Sequence, residues 1–187
     1  KTIYFAGNKL FKSHNRGDDW RVISPDLTTA DPEKIIGNVP HCPITTVAES
    51  PLDPKVLLAG TDDGNVQLTK DGGDTWTNVA SNLPGLPSGS WIPQIRASDY
   101  AAGEAWLVAN NYRRGDFTPY AFYTDNFGKS WKGLVNQDKV KGYALSIIQD
   151  PVEPNLVFLG TEHGLWVSID KGNTWVQWKN GFPAAST

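Results

Sequence analysis

One eight-residue phrase occurs four times in this chain, and no other feature restricts its folding as strongly. Ser13, Asn15, Gly17 and Trp20 form the first copy, and Thr69, Asp71, Gly73 and Trp76 the second; Thr124, Asn126, Gly128 and Trp131 form the third, and Ser168, Asp170, Gly172 and Trp175 the fourth. All spell Ser/Thr-x-Asp/Asn-x-Gly-x-x-Trp, with successive tryptophans 56, 55 and 44 residues apart. A period of that size is the length of one supersecondary unit that stacks on copies of itself. The residue types say what the phrase does locally. An Asp or Asn side chain accepts hydrogen bonds from backbone N–H groups of its own turn, Gly takes a left-handed position, and Trp lays a large apolar surface over the hairpin. Each copy is therefore expected to staple a turn between two strands.

The flanking segments repeat as well. Val56 to Thr61 matches Val157 to Thr161, and Ile3 to Gly7 is a shorter copy. Upstream, Ile44 to Ser50, Ile92 to Ser98 and Tyr143 to Gln149 lead into polar turns such as Pro51 to Pro54 and Asp150 to Pro154, the pattern of short strands bounded by turn residues. An inner strand, a second, a third, the staple and a fourth strand make a four-stranded antiparallel sheet repeated about an axis, a β-propeller. The expected fold is all-β: a partial propeller of about four blades, one segment over 1–187 with blades near 1–23 (incomplete), 44–80, 92–135 and 143–178. The 18 Gly, 13 Pro and 8 Trp of the 187 residues agree with many turns and few helices.

Only 12 residues precede Ser13, room for the second and third strands of a blade but not for its inner strand, and the tail after Trp178 is rich in Pro and small polar residues, a poor replacement strand. The chain is expected not to close a ring by itself, and to take further blades from a longer parent polypeptide or from a second chain. A chain that opens on Lys1 and holds no Met is expected to be an internal segment of that parent.

Charge narrows the partners. With 17 basic and 20 acidic side chains the formal net charge is -3, so the basic face that binds nucleic acid is not expected. No apolar run approaches the roughly 20 residues that span a bilayer, and membrane insertion is not expected. Cys42 is the single cysteine and fixes no redox compartment. No metal-ligand spacing is present: Asp62, Asp63, Gly64 and Asn65 lack the pattern of a calcium loop, and neither a metal nor an organic cofactor is expected.

The four phrases resemble the BNR or Asp-box repeat family, whose members include sialidases, xyloglucanase-type glycosidases, photosystem assembly propellers and sortilin-type receptors. Residues 59–76 and 158–168 are most similar to large exported bacterial proteins described as sortilin-like or as glycosyl hydrolases with BNR repeats. The resemblance implies an extracellular or periplasmic location and a propeller that binds a glycan or a polypeptide, or hydrolyses a polysaccharide. Two boxes carry Asn15 and Asn126 where the family prefers Asp; Asn accepts the same bonds. In that family the boxes lie away from active sites, so they identify fold rather than reaction.

Strand order sorts the loops onto two faces. The links between second and third strands and the links between blades share one face, which should hold Asp62, Asp63, the segment Asn110 to Asp116, Glu162, His163, Trp91 and the long connection from Ser24 to Pro43. Ligand contacts are expected from Trp91, Arg113, Arg114, Asp116, Glu162 and His163. Insertion 110–119 is the first choice, because a link longer than geometry requires is often a binding element. A glycosidase needs two carboxyl groups across the scissile bond, and Asp62 or Asp63 with Asp116 or Glu162 are the candidates. The competing reading takes Asp62-Asp63-Gly64 and Glu162-His163-Gly164 as ordinary hairpin turns, and the two arginines as rim solvation. A sialidase is disfavoured, since Arg16, Arg21, Arg96, Arg113 and Arg114 are the only arginines and the first two flank a staple. Arg16-Gly17-Asp18 and Arg114-Gly115-Asp116 spell an adhesion tripeptide, but the first falls inside a staple. His41 and Cys42 are adjacent, so on an extended chain they point apart and make a poor base and nucleophile.

Overall fold

The computed structural model describes residues 2–36 and 42–181; His41 and the last residues of the tail lie outside them. The fold is all-β. Strands β1 (Ile3–Ala6), β2 (Leu10–Ser13) and β3 (Arg21–Val22) form a three-stranded antiparallel sheet. Three four-stranded sheets follow, each in chain order from inside to outside. The first holds β4 (Ile44–Glu49), β5 (Leu57–Thr61), β6 (Val66–Thr69) and β7 (Thr77–Asn78); the next β8 (Trp91–Ala97), β9 (Ala105–Asn111), β10 (Asp116–Thr124) and β11 (Lys132–Gly133). The last is β12 (Ala144–Gln149), β13 (Val157–Thr161), β14 (Gly164–Ser168) and β15 (Val176–Gln177). One short helix, α1 (Pro32–Ile35), lies in the connection between the first two sheets, capped by the Asp31 side chain on the Glu33 N–H. Among the described residues no helix is long and apolar enough to cross a membrane.

Apolar residues fall between the sheets rather than in one central core. Leu10, Ile23, Leu27 and Leu57 fill the layer between the first two sheets. Val66, Leu68, Ile92, Ile95, Leu107 and Trp131 fill the next, and Trp106, Val108, Leu134, Ile147 and Leu159 the last. A second strand is covered on both sides, which is why all of Leu57–Thr61 is buried and why its sequence is continuously apolar instead of alternating. The inner strands carry a bulge between Ile44 and Thr46 and again between Ala144 and Ser146, facing Gly60 and Gly160. A Cβ on Gly60 would lie 2.6 Å from Ile92 of the next sheet and 2.9 Å from Thr46, and one on Gly160 would lie 2.5 Å from the Ser146 hydroxyl, so the recurrent Gly of the second strand leaves room for the bulged inner strand and, at Gly60, for the next blade.

In each staple the buried element is the hydroxyl. Ser13, Thr69, Thr124 and Ser168 are 1–2% exposed. Each Oγ accepts the N–H of the glycine four residues on, at 2.8, 3.0, 3.0 and 2.8 Å, and donates to the Asx oxygen. The Asx oxygen in turn accepts the N–H four residues after it, in all four copies. Two successive residues take positive φ, Gly72 (+80°) and Gly73 (+109°) in the second staple. Arg16, Phe127 and Lys171 occupy the first of those positions elsewhere, so only the second demands glycine.

The reason for that demand lies in the neighbouring sheet. A Cβ on Gly73 would stand 2.4 Å from the Ile23 carbonyl oxygen, and one on Gly172 would stand 2.9 Å from Leu134. The indole N–H of Trp76 donates to the same Ile23 carbonyl at 2.9 Å, and Trp175 to Leu134 at 2.9 Å. The tryptophan is thus more than a lid on its own hairpin: it latches its sheet to the preceding one. Trp131 is buried against Val79 without that bond, and Asn82 donates to the Gly128 carbonyl there instead. Trp20 has no sheet in front of it among the described residues and is 45% exposed beside Phe5.

A polar tie joins the last two sheets. Glu104, 9% exposed, accepts from Lys171 (2.5 Å), Tyr123 (2.6 Å) and Ser98 (3.0 Å). Burial pushes its carboxyl up, but these donors outweigh burial and hold it below the usual range. Burial and the bond to Glu104 push Tyr123 up to about 12.

Two outcomes follow from this packing. Gly73→Ala is expected to lose about 2–4 kcal/mol of stability through strain and collision with the adjoining sheet, whereas Gly72→Ala, with open space around it, should lose about 1 kcal/mol or less; paired denaturant titrations check the contrast. A lowered carboxyl contributes stability that is complete above its unfolded value of about 4.3 and is lost as pH falls through the folded value. Glu104→Gln should therefore cost about 1–3 kcal/mol at neutral pH and flatten the stability loss below about pH 4, as read from melting temperature against pH.

Candidate functional site

The connection at 24–36, the β5–β6 turn, the linker before β8 and the β9–β10 link meet on one face. The Asp62 N–H donates to the Pro43 carbonyl at 3.2 Å, and Glu162 makes the equivalent bond to Tyr143 at 3.0 Å. Arg114 donates to the Ser88 carbonyl at 2.8 Å. Gly64 and Gly89, both at positive φ, approach so closely that a Cβ on Gly64 would lie 2.7 Å from the Gly89 Cα. These contacts enclose a cleft of ≈ 200 Å³ between the second and third sheets.

The cleft brings together Asp62, Asp63, Trp91, Arg113 and Arg114, with Lys34, Asn110 and Asn111 from the two segments expected on that face. Trp91 opens β8 and sits opposite Asn110 at the end of β9 in the strand register. Asn110 is 1% exposed; its amide N–H donates to the Ala144 carbonyl at 3.2 Å, while its Oδ1 has no partner. The buried Trp91 indole N–H has no partner either. A buried donor and a buried acceptor thus stand unsatisfied on two facing residues that line one cleft, where leaving such groups unpaired costs about 1–3 kcal/mol each.

The two carboxylates differ. Asp63 is 5% exposed and accepts from the Thr29 N–H (2.7 Å), the Thr29 hydroxyl (2.6 Å) and the Thr61 hydroxyl. Burial pushes its carboxyl up, but these bonds prevail and hold it low. That makes it a poor proton donor and a firm anchor for the 24–36 connection. Asp62 accepts the Cys42 N–H at 2.8 Å. Burial pushes the Cys42 thiol up, away from the thiolate that nucleophilic chemistry needs.

Arg113 lies over the Trp91 ring, 4.7 Å from its centroid, and 5.8 Å from that of Tyr112. Among the described residues neither Arg113 nor Arg114 forms an ion pair. Aromatic rings continue outward: Trp91 meets Tyr112 edge-on at 6.3 Å, Tyr112 stacks on Tyr143 at 4.8 Å, and Tyr143 touches Phe117 at 6.2 Å. The other expected residues lie elsewhere. Asp116 accepts from the Thr118 N–H (3.0 Å) and the Tyr120 hydroxyl (2.8 Å), and its carboxyl is held low by these bonds against burial. His163 donates its N–H to Thr161 and accepts from Gln177 through its carbonyl, a turn arrangement, and Glu162 sits beside it against Gly142. No group of three or more His, Cys, Asp or Glu side chains is placed to hold a metal among the described residues.

Sequence reasoning reached Trp91, the Asn110 segment with Tyr112, and the 24–43 connection with Lys34, but not the orphaned Asn110 Oδ1, nor the part taken by Tyr143. Whether an Asn side chain finds a partner depends on atoms of another blade. Asp63→Ala is expected to cost about 2–4 kcal/mol and to speed proteolytic cleavage within 24–36, as followed by limited proteolysis.

No protein-family model matches the chain. An oligoxyloglucan-reducing end-specific xyloglucanase from Emericella nidulans is 28% identical over 137 residues, 67% of this chain and 16% of that protein. An ancestral GH74 enzyme superposes with a TM-score of 0.71 at 18% identity, over 96% of this chain and 22% of that one. YCF48 bound to a D1 peptide superposes with a TM-score of 0.54 at 17% identity, over 76% of this chain and 42% of that one. The chain spans well under a quarter of the xyloglucanase and under half of YCF48. At these identities the likeness to solved structures shows the β-propeller fold.

Proposed function

We propose that this chain is part of an exported β-propeller of the Asp-box type that binds a glycan on its loop face, in the cleft between the second and third sheets. The observation that carries the reading is the presence of two unsatisfied groups, the Trp91 indole N–H and the Asn110 Oδ1, on paired residues that line the cleft. A sugar hydroxyl accepts and donates at one atom, so it suits such a pair, and a cleft of ≈ 200 Å³ accommodates a single sugar ring. The Tyr112, Tyr143 and Phe117 rings beside it offer apolar faces to the next sugar. The likeness in fold to glycoside hydrolase propellers agrees with this reading, and the peptide complex of YCF48 makes a polypeptide the competing ligand.

Export is supported by the resemblance of the stapled turns to exported proteins. Further blades, from a longer polypeptide or a second chain, are supported by Trp20, Phe5 and Trp178, which are 45–64% exposed. Ile23, Val79 and Leu134, the residues equivalent to Trp178 in the other sheets, are all buried under a neighbour.

A hydrolytic reading is favoured by Asp62, a carboxylate in the cleft, and is weakened by Asp63 and Asp116, whose carboxyls are both held low when a general acid needs a raised value. A glycan array followed by titration calorimetry tests the binding reading. Trp91→Ala and Tyr112→Ala should weaken the selected glycan by about tenfold or more, with unchanged melting behaviour for the Tyr112 variant. Release of reducing ends that Asp62→Asn abolishes would establish the hydrolase instead, and binding of peptides alone would overturn the glycan.

A further inference from the structure

We infer that the cleft selects an acidic sugar, a hexuronate whose carboxylate is held by Arg113 and Arg114 while its ring hydroxyls meet Trp91 and Asn110. The inference rests on the glycan-binding reading above and adds the charge of the ligand.

Two guanidinium groups stand at the mouth of one cleft without an acidic partner among the described residues. A planar fork of N–H donors matches a planar carboxylate, and such charge-assisted bonds are the strong ones. Arg113 is held in place by its stacking on Trp91 at 4.7 Å and by its Nε donation to the Tyr112 hydroxyl at 3.5 Å. That contact uses the guanidinium face and Nε, leaving its terminal N–H groups for a ligand. Arg114 is anchored through one nitrogen to the Ser88 carbonyl. Lys34 adds a third cation to the lining, already shared with Asp31 at 3.7 Å.

The acidic residues of the same cleft are Asp62 and Asp63. Asp63 is buried, and its oxygens are taken by Thr29 and Thr61. Asp62 accepts the Cys42 N–H. Deeper in, the unsatisfied Asn110 Oδ1 needs a donor and the Trp91 N–H needs an acceptor. A carboxylate offers no donor for Asn110, and a neutral sugar leaves the arginines unused. A uronate residue supplies both within one ring. A polypeptide C-terminus carries the carboxylate too, with a backbone N–H on the same carbon, but no ring hydroxyl that both donates and accepts at one atom.

Calorimetry on the protein with trigalacturonate, its fully methyl-esterified form, neutral galactotriose and a short peptide with a free C-terminus tests this. The expected result is binding of trigalacturonate alone, weakened at least tenfold by Arg113→Ala, by Arg114→Ala and by raising the salt, and weakened by Trp91→Phe, which keeps an aromatic ring and removes the N–H. Both arginines are exposed, so their variants should fold as the parent does. Equal binding of the ester or of galactotriose, lost in Trp91→Phe, would overturn the acidic ligand while leaving the glycan reading standing. Binding of the peptide alone, or of no sugar, would overturn both.

Discussion

The rest of the molecule depends on one contact between neighbouring sheets. A glycine at positive φ and a tryptophan three residues on press against the residue just beyond the outer strand of the preceding sheet: Gly73 and Trp76 on Ile23, Gly128 and Trp131 on Val79, Gly172 and Trp175 on Leu134. A sheet of this size cannot bury both faces alone, so stacking has to supply the core. Because the glycine lacks a Cβ, the backbones can approach, and because the indole carries one donor, the approach fixes a direction as well as a distance. The same eight residues therefore shape a local turn and set how one blade meets the next.

That geometry decides where a ligand can be held. The cleft has walls from two blades: Asp62 and Asp63 from the second sheet, Trp91, Asn110, Arg113 and Arg114 from the third. Its shape is only as constant as the angle between those sheets. Thr45 reinforces the angle by donating to the Ile92 carbonyl at 2.6 Å, and Thr46 by accepting the Ile95 N–H at 3.1 Å. On the far side, Asn110 donates to Ala144 and Gln94 accepts from the Ile147 N–H, so the fourth sheet holds the third. Rigid strands thus carry the buried polar groups, while the cations sit on the link that follows β9.

Much of the fold was legible because its signals are local. The hydroxyl, Asx and glycine of a stapled turn bond to atoms within a few residues, so their spacing is visible along the chain, and the apolar run at Leu57–Thr61 marks a strand covered on both faces. The site was legible only in part. Insertion 110–119 announced itself by length, and Trp91 by its place at the head of a strand. Asp62, Asp63, Glu162 and His163 all carried the same turn signal, and nothing in that signal separates a carboxylate that anchors a connection from one that faces a cleft.

Periodicity and turn chemistry, read from the sequence, determined the all-β class, the repeated blade and the position of every stapled turn, since each rests on interactions between residues close in the chain. Tertiary structure alone decided which of those residues also act at a distance. It made Trp76 a donor to Ile23, committed Asp63 to Thr29, and left the Asn110 Oδ1 and the Trp91 N–H buried without partners. The physical reason is that hydrogen-bond satisfaction and exclusion of water are properties of packed surfaces, and those surfaces come from blades dozens of residues apart.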